Sequence, residues 1–380
     1  MAGRCFLVCV VLFLFTGNGS AQQLNSTTIH EIIAQQLSAH SDTSPGSAAA
    51  VRVSVDESIV AAYGVADKKT QTPVSDSTRF FSGSTGKTMT AVVVTTLIAD
   101  GVIALDDPIS KYLSHKEWFA ELNNHNDITI RMLLNHSAGI PSYLDDKAFF
   151  LSQRGRRLKG YTPDELVTYV ATEAPSGIPG QHFSYSDTHY IILGMIIEKV
   201  TGKQFYDLVQ EIILDPLQLV NTTPLVGREH ERLANAYRKG GLLRRSLKIA
   251  GPTLKNERLK FIPDYEWTGG GFVTTPEDLA TFYYTLFTDD RFARQRALMI
   301  SPENLNPVSE KVSYGLGVYV VMRNTAGPVY SHGGDFMGYR SAVFYDAASN
   351  VAVAVQANAK IYEPIDVGYA ILKALKESRP

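Results

Sequence analysis

Hydrophobic residues change their spacing twice along this chain. Residues 47–67, SAAAVRVSVDESIVAAYGVAD, place small and β-branched residues on both sides of a polar break, which predicts two strands joined by a turn. A short helical lead over about residues 27–40 precedes them. The run from Ser84 to Asp100 is almost wholly apolar beyond Thr90 and closes at Gly101. Val92, Val93 and Val94 would suit a strand, but the length and the terminal glycine predict a buried helix, with Ser84 in its first turn.

The middle of the chain reads as helical. TPDEL (162–166) carries Thr162 as N-cap, Pro163 in the first turn and Glu165 three residues after the cap. HYIILGMIIEKVTG (189–202) is a helix stopped by Gly202, FYDLVQEIIL (205–214) is another ended by Pro216, and TTPEDLATFYYTLF (274–287) repeats the Thr-Pro start. The pattern then reverts to strands in YGLGVYVVM (314–322), RSAVFYDAA (340–348) and VAVAVQANA (351–359), and EPIDVGYAILKAL (363–375) closes as a helix. Strands, helices, then strands predict an α+β fold: an α/β sandwich whose N- and C-terminal strands pair in one antiparallel sheet flanked by helices, with a mainly helical insertion. The expected division is residues 22–83 and 290–380 for the sheet domain and 84–289 for the helical one, with the active site at their interface.

The length of 380 residues allows two such parts around a large core. A formal charge of −2 with no long run of either sign argues against a nucleic-acid partner. Arg4, the apolar run Cys5 to Phe15 and the small residues GNGSA (17–21) together describe a secretory signal with cleavage after Ala21. That run is too short to span a bilayer, which takes about 20 residues. The expected mature protein is periplasmic or secreted and has no integral membrane segment. It would lack cysteine, since Cys5 and Cys9 lie in the signal, and with it any disulfide or thiol nucleophile. No His-rich spacing implies a metal site, and no cofactor is expected.

Residues 81–88, FSGSTGKT, allow two chemistries. A phosphate-binding loop needs glycine where Phe81 stands, and export would separate such a loop from its nucleotide. The other pattern is Ser84-x-x-Lys87, a serine nucleophile with a lysine one helical turn later on the same face. The serine needs a base, and the helix start offers backbone N–H groups to an oxyanion. In FSYSDTHY (183–190), Tyr185 is a candidate base whose phenolate the Lys87 ammonium would stabilise, and Asp187, on an extended loop, would point the same way. In YSHGGDFMGYRSAVFYD (330–346), Gly333 and Gly334 precede a strand and permit close backbone approach. The N–H of Asp335 would be a second oxyanion donor opposite that of Ser84, and His332 would face a substrate carboxylate or the Tyr185 hydroxyl.

Taken in order, Ser84-x-x-Lys87, Tyr185-Ser186-Asp187 and His332-Gly333-Gly334 resemble the serine β-lactamase and penicillin-binding-protein superfamily, in particular its class C β-lactamase and D-Ala-D-Ala carboxypeptidase branch. LLNHSAGIPSY (133–143), GVIALDDPISKYL (101–113) and TGGGFVTTPEDLATF (268–282) are also similar to stretches of that branch. The resemblance implies a β-lactamase/transpeptidase-like fold and acyl transfer: Ser84 attacks an amide or ester, Tyr185 assisted by Lys87 moves the proton, and water releases the acyl-enzyme. It leaves open whether Tyr185 or Lys87 is the principal base. The implied substrate is a small molecule or peptide: a β-lactam, a D-amino-acid peptide or an ester. Two positions depart from the pattern, with Asp187 where Asn is usual and His332 where Lys is frequent. Ionised Asp accepts but does not donate, which weighs against β-lactam and D-Ala-D-Ala recognition more than against hydrolysis. A histidine, whose charge near neutral pH depends on its surroundings, is a weaker carboxylate anchor than lysine and leaves room for esters or neutral amides. The alternative is a catalytically silent peptidoglycan or β-lactam sensor on the same fold.

Overall fold

The computed structural model describes residues 24–238, 251–323 and 327–378. The expected signal segment, with Cys5, Cys9 and Ala21, lies outside the described residues.

The first helix, α1 (Ser26–Ala39), is capped by Asn25 and leads into strands β1 (Gly46–Arg52) and β2 (Ser58–Asp67), with the short β3 (Thr72–Pro73) beside them. The helix α2 (Lys87–Ala99) follows a 3₁₀ turn over Gly83–Gly86. Farther on come α3 (Asp187–Thr201) and α4 (Pro276–Thr288). Six strands then run through β4 (Asn306–Ser309), β5 (Val312–Tyr314), β6 (Tyr319–Arg323), β7 (Gly327–Phe336), β8 (Tyr339–Asp346) and β9 (Val351–Ala357), before α5 (Pro364–Glu377). The nine strands form one antiparallel sheet in the order β4-β5-β6-β7-β8-β9-β1-β2-β3. The first hairpin thus joins the C-terminal strands through the β1–β9 pair, with Ala50 opposite Ala354.

Two-residue alternation divides the sheet between two cores. Val351, Val353 and Val355 of β9 and Ala49 and Val51 of β1 face α1 and α5, where Ile33, Leu37, Val367 and Ile371 cover them. Ala352 and Ala354, with Ala48 and Ala50, face the larger core built around α2. Strands covered on both faces read as continuous apolar runs for this reason. Helix α2 is buried along nearly its whole length, so tertiary packing overrides the strand preference of Val92, Val93 and Val94.

Four local features differ from the sequence expectations. The Ser84 turn is 3₁₀, and the α-helix proper starts at Lys87. Residues 314–322 are not one strand: β5 ends at Tyr314 and β6 starts at Tyr319, because Gly317 takes a positive φ in the bend between them. Gly333 and Gly334 lie inside β7 rather than ahead of a strand. Helix α4, expected in the helical insertion, packs on β1, β8 and β9 instead. Its amphipathic Leu279, Ala280, Tyr283 and Phe287 are the reason, since they complete the larger core.

Candidate active site

The nucleophile turn is held from three sides. The Ser82 N–H donates to the Phe272 carbonyl at 2.9 Å, and Ser82 Oγ donates to the Gly270 carbonyl at 2.6 Å. The hydroxyls of Thr85 and Ser341 both donate to the Ser82 carbonyl. Gly270 adopts φ +134°, and a Cβ there would run into the Gly83 carbonyl. The glycine stretch 269–271 is therefore a floor on which the turn rests, and no larger residue fits at 270 or 271.

On the sheet side, β6 pairs with β7 only as far as Ser331, opposite Tyr319. Beyond it, the edge of β7 is left to the nucleophile turn. A Cβ built on Gly334 would lie 3.2 Å from Ser84 N, and one on Gly83 would lie 3.0 Å from Asp335 N. The two backbone amides expected to face an oxyanion thus belong to segments in close contact.

Lys87 is wholly buried and all three of its N–H donors are used. Nζ donates to Ser84 Oγ at 3.1 Å, to Asp187 Oδ1 at 2.5 Å and to the Gly269 carbonyl at 2.7 Å. Asp187 sits not on an extended loop but in the first turn of α3, after Ser186 as N-cap. Ser142 Oγ approaches Asp187 Oδ2 and the Asp187 N–H at 3.4 Å each.

Tyr185 lies beside this pair, with Lys87 Nζ 5.1 Å from its ring centroid. Its hydroxyl is buried and closes no hydrogen bond of good geometry. Burial pushes its pKa well above the usual phenol range, and the Asp187 carboxylate pushes the same way, while the Ser84 hydroxyl acts in the opposite sense. The expectation that the Lys87 ammonium would favour the phenolate is therefore not met, because the charge of Lys87 is already matched by Asp187. Tyr185 rests as a neutral phenol.

His332 also corrects its expectation. Burial lowers its pKa to about 3, so it is uncharged and cannot anchor a carboxylate by charge. Its Nδ1–H donates to the Gly333 carbonyl at 2.7 Å, which leaves Nε2 to accept from the Tyr314 hydroxyl at 2.9 Å. Both ring nitrogens are occupied, and its partner is Tyr314 rather than Tyr185.

Ser84, Tyr185, Asp187, His332, Gly333, Gly334 and Asp335 nonetheless line one cavity of about 520 Å³. One wall is apolar, made by Val321, Phe344, Ile365 and Tyr369. At its rim, Arg340 meets Glu363 at 2.5 Å and Asp335 at 3.5 Å, and Lys360 meets Asp335 at 3.1 Å. The described lining therefore presents cations already matched by carboxylates. Among the described residues, no group of three His, Cys, Asp or Glu could hold a metal ion, and no helix is long and apolar enough to cross a membrane.

Several site residues were not legible from motifs. The Gly269 carbonyl is a Lys87 partner although its stretch was singled out only by similarity. Glu266 is buried near the ion pair with Oε2 unpartnered. Burial, and then the charge of Asp187, raise its carboxyl pKa well above the usual range. His136, within LLNHSAGIPSY, lies beneath Tyr185 with ring centroids 4.1 Å apart.

The chain and its fold are similar to several known proteins. Penicillin-binding protein 4* of Bacillus subtilis (strain 168) is 24% identical over 282 residues, which is 73% of this chain but only 60% of that relative, less than two thirds of its length. Esterase EstB of Burkholderia gladioli is 27% identical over 303 residues, 76% of this chain and 72% of the relative. The crystal structure of a D-stereospecific amidohydrolase from Streptomyces sp. superposes with a TM-score of 0.73 at 28% identity, covering 91% of this chain and 98% of that one. D-amino acid amidase from Ochrobactrum anthropi SV3 shares the fold with a TM-score of 0.74 at 24% identity, covering 93% and 99%. The family model described as Beta-lactamase matches residues 33–376. The chain belongs to that family, within the superfamily of serine β-lactamases and penicillin-binding proteins.

Proposed function

We propose that the protein is an exported serine hydrolase that cleaves uncharged esters or amides through an acyl-enzyme on Ser84. The single observation that carries this reading is the 3.1 Å contact between Lys87 Nζ and Ser84 Oγ at the floor of a substrate-sized cavity. A general base must lie within hydrogen-bond reach of the proton it takes, and Lys87 does.

In the proposed sequence, the Lys87 ammonium passes a proton to Asp187 across their 2.5 Å contact when substrate binds, which frees the amine as base, and the proton returns once Tyr185 is reprotonated. Ser84 Oγ bonds to the carbonyl carbon and its proton passes to Lys87. The carbonyl π pair moves onto oxygen, where the N–H groups of Ser84 and Asp335 receive it. Each such donor contributes about 3 kcal/mol. Collapse breaks the bond to the leaving group, which takes a proton from the Tyr185 phenol. A phenol held protonated by its surroundings suits a general acid better than a base. Lys87 returns a proton to Tyr185, and water then attacks the ester of Ser84 by the reverse proton path.

The substrate class follows from charge and shape. Val321, Phe344, Ile365 and Tyr369 offer an apolar acyl or alkoxy group a surface. His332 is neutral and Arg340 is engaged by two carboxylates, so a substrate carboxylate finds no free cation in the described lining. The relatives named as an esterase and a D-stereospecific amidohydrolase support an ester or amide substrate.

The test is labelling of the mature protein with a fluorophosphonate, read by intact mass, together with turnover of p-nitrophenyl esters. One adduct on Ser84 and a loss of turnover of at least about 10³-fold in Ser84→Ala are expected. An unlabelled, fully folded protein would reject the hydrolase reading and favour a silent sensor.

A further inference from the structure

His136 sits outside the three motifs, yet it is bound to the loop that carries Tyr185 on both sides of that residue. The Ser184 N–H donates to the His136 carbonyl at 2.8 Å. The Ser186 N–H donates to His136 Nδ1 at 3.3 Å. Between these two anchors, the imidazole lies 4.1 Å from the Tyr185 ring, centroid to centroid, at an interplanar angle of 39°. The histidine is wholly buried and adopts φ +58°, a left-handed conformation that non-glycine residues seldom take.

The hydrogen bonds also fix its protonation. Nδ1 accepts the Ser186 N–H, so it carries no proton. The proton in the 3.0 Å contact between the Nδ1 atoms of His136 and His189 therefore belongs to His189. Burial, then the neighbouring His189 and Lys87, lower the His136 pKa well below its usual value. The ring is a neutral acceptor toward the Tyr185 loop, with its own proton on Nε2. That Nε2 is buried without a hydrogen-bond partner. A buried polar atom left unpaired and a left-handed backbone are both unfavourable, and residues that keep such features cluster at functional sites.

We propose that His136 is a positioning residue for Tyr185, gripping the backbone at 184 and 186 so that the phenol is aimed at the leaving group. This rests on the reading of Tyr185 as general acid. It predicts an effect that depends on the leaving group. A p-nitrophenolate departs without a proton, whereas an alkoxide or amine does not. A correctly aimed phenol therefore matters for an alkyl ester and little for a p-nitrophenyl ester.

The experiment measures pre-steady-state acylation of the full mature chain by p-nitrophenyl acetate and by ethyl acetate. The variants are His136→Leu and His136→Asn, each made with Tyr185 intact and in Tyr185→Phe. Asn tolerates positive φ and its Oδ1 replaces the Nδ1 acceptor, while Leu fills the space without one. His136→Leu should slow ethyl acetate by about 10- to 100-fold and p-nitrophenyl acetate by less than about 3-fold. His136→Asn should recover most of that loss. In Tyr185→Phe, the substitutions at 136 should change neither substrate by more than about 3-fold, because groups acting as a unit are not additive.

Equal slowing of both substrates by the 136 variants while Tyr185→Phe stays selective for ethyl acetate, an undiminished loss in Tyr185→Phe, or an Asn variant as poor as Leu would overturn the proposal. Thermal melts check folding, and His136→Gln, whose amide cannot reach the Nδ1 position, replaces Leu if that variant does not fold. Failure of the parent reading shows elsewhere. Tyr185→Phe alone would then slow both substrates alike, while a persistent coupling between 136 and 185 would keep the grip and discard the acid.

Discussion

Lys87 and Asp187 meet at 2.5 Å beneath Ser84, with the lysine wholly buried. Breaking such a pair leaves a charge in low dielectric without a partner, which costs more than replacing both members with apolar groups. Lys87→Met should therefore lower stability by about 3 kcal/mol, and adding Asp187→Leu should restore most of it. Neither variant should turn over ester. Denaturant melts beside an ester assay test both statements, and equal stability of the single and double variants would contradict the buried pair.

Tyr185→Phe separates acid from base catalysis. As a general acid, Tyr185 should be worth about 10²- to 10⁴-fold in acylation by alkyl esters and amides, and far less with p-nitrophenyl esters. Burst kinetics across a series of leaving groups give the answer. A uniform loss would return Tyr185 to the role of base toward Ser84.

Asp187→Asn removes a charge that helps keep the Tyr185 phenol protonated. A general acid works while protonated, so its activity is lost as pH rises through its pKa. Lowering that pKa moves the alkaline limb of the pH–rate profile to lower pH. The substituted amide can also donate to a substrate carbonyl, and labelling by a fluorescent penicillin should rise. A fixed alkaline limb would show that Asp187 does not act on Tyr185.

Acid stability depends on three buried histidines. His332 and His189 titrate at about 3 in the folded protein against 6.5 for a free side chain, and His136 is lowered in the same direction, each chiefly by burial. Below pH 6.5 the unfolded chain takes up protons that the folded chain refuses, so their contribution is complete above about pH 6.5 and is lost as pH falls toward 3. The histidines' share of the urea midpoint should fall steadily as pH drops below 6.5. His332→Gln, which keeps an acceptor for Tyr314, should make that fall shallower.

Gly334 marks the closest approach of β7 to the nucleophile turn. A Cβ there would run into the Ser82 carbonyl and Ser341 Oγ, and would press on Ser84 N. Overpacking of this kind costs about 1–3 kcal/mol. Because the displaced atoms carry the nucleophile, Gly334→Ala should lose kcat by more than its loss of stability suggests. Melts and steady-state kinetics on the same preparation compare the two.

Much of this was legible in the chain. The apolar, β-branched runs in residues 47–67 and 351–359 declared the strands, and Thr162, Gly202 and Thr275 marked helix ends that the structure keeps. Ser84 and Lys87 were recognisable because i and i+3 spacing holds across a 3₁₀ turn as well as an α-helix. What the order of residues alone determined was local: periodicity, caps, and which residue types could carry acyl transfer. Tertiary structure decided the charge states. Tyr185 and His332 have ordinary pKa values as isolated side chains; burial beside Asp187 raises the one, and burial, with the charge of Lys87, lowers the other. Likewise His136 gains its place beneath Tyr185 from a contact across about fifty positions of chain. Solvation and long-range proximity are properties of the folded packing, and no local pattern of residues encodes them.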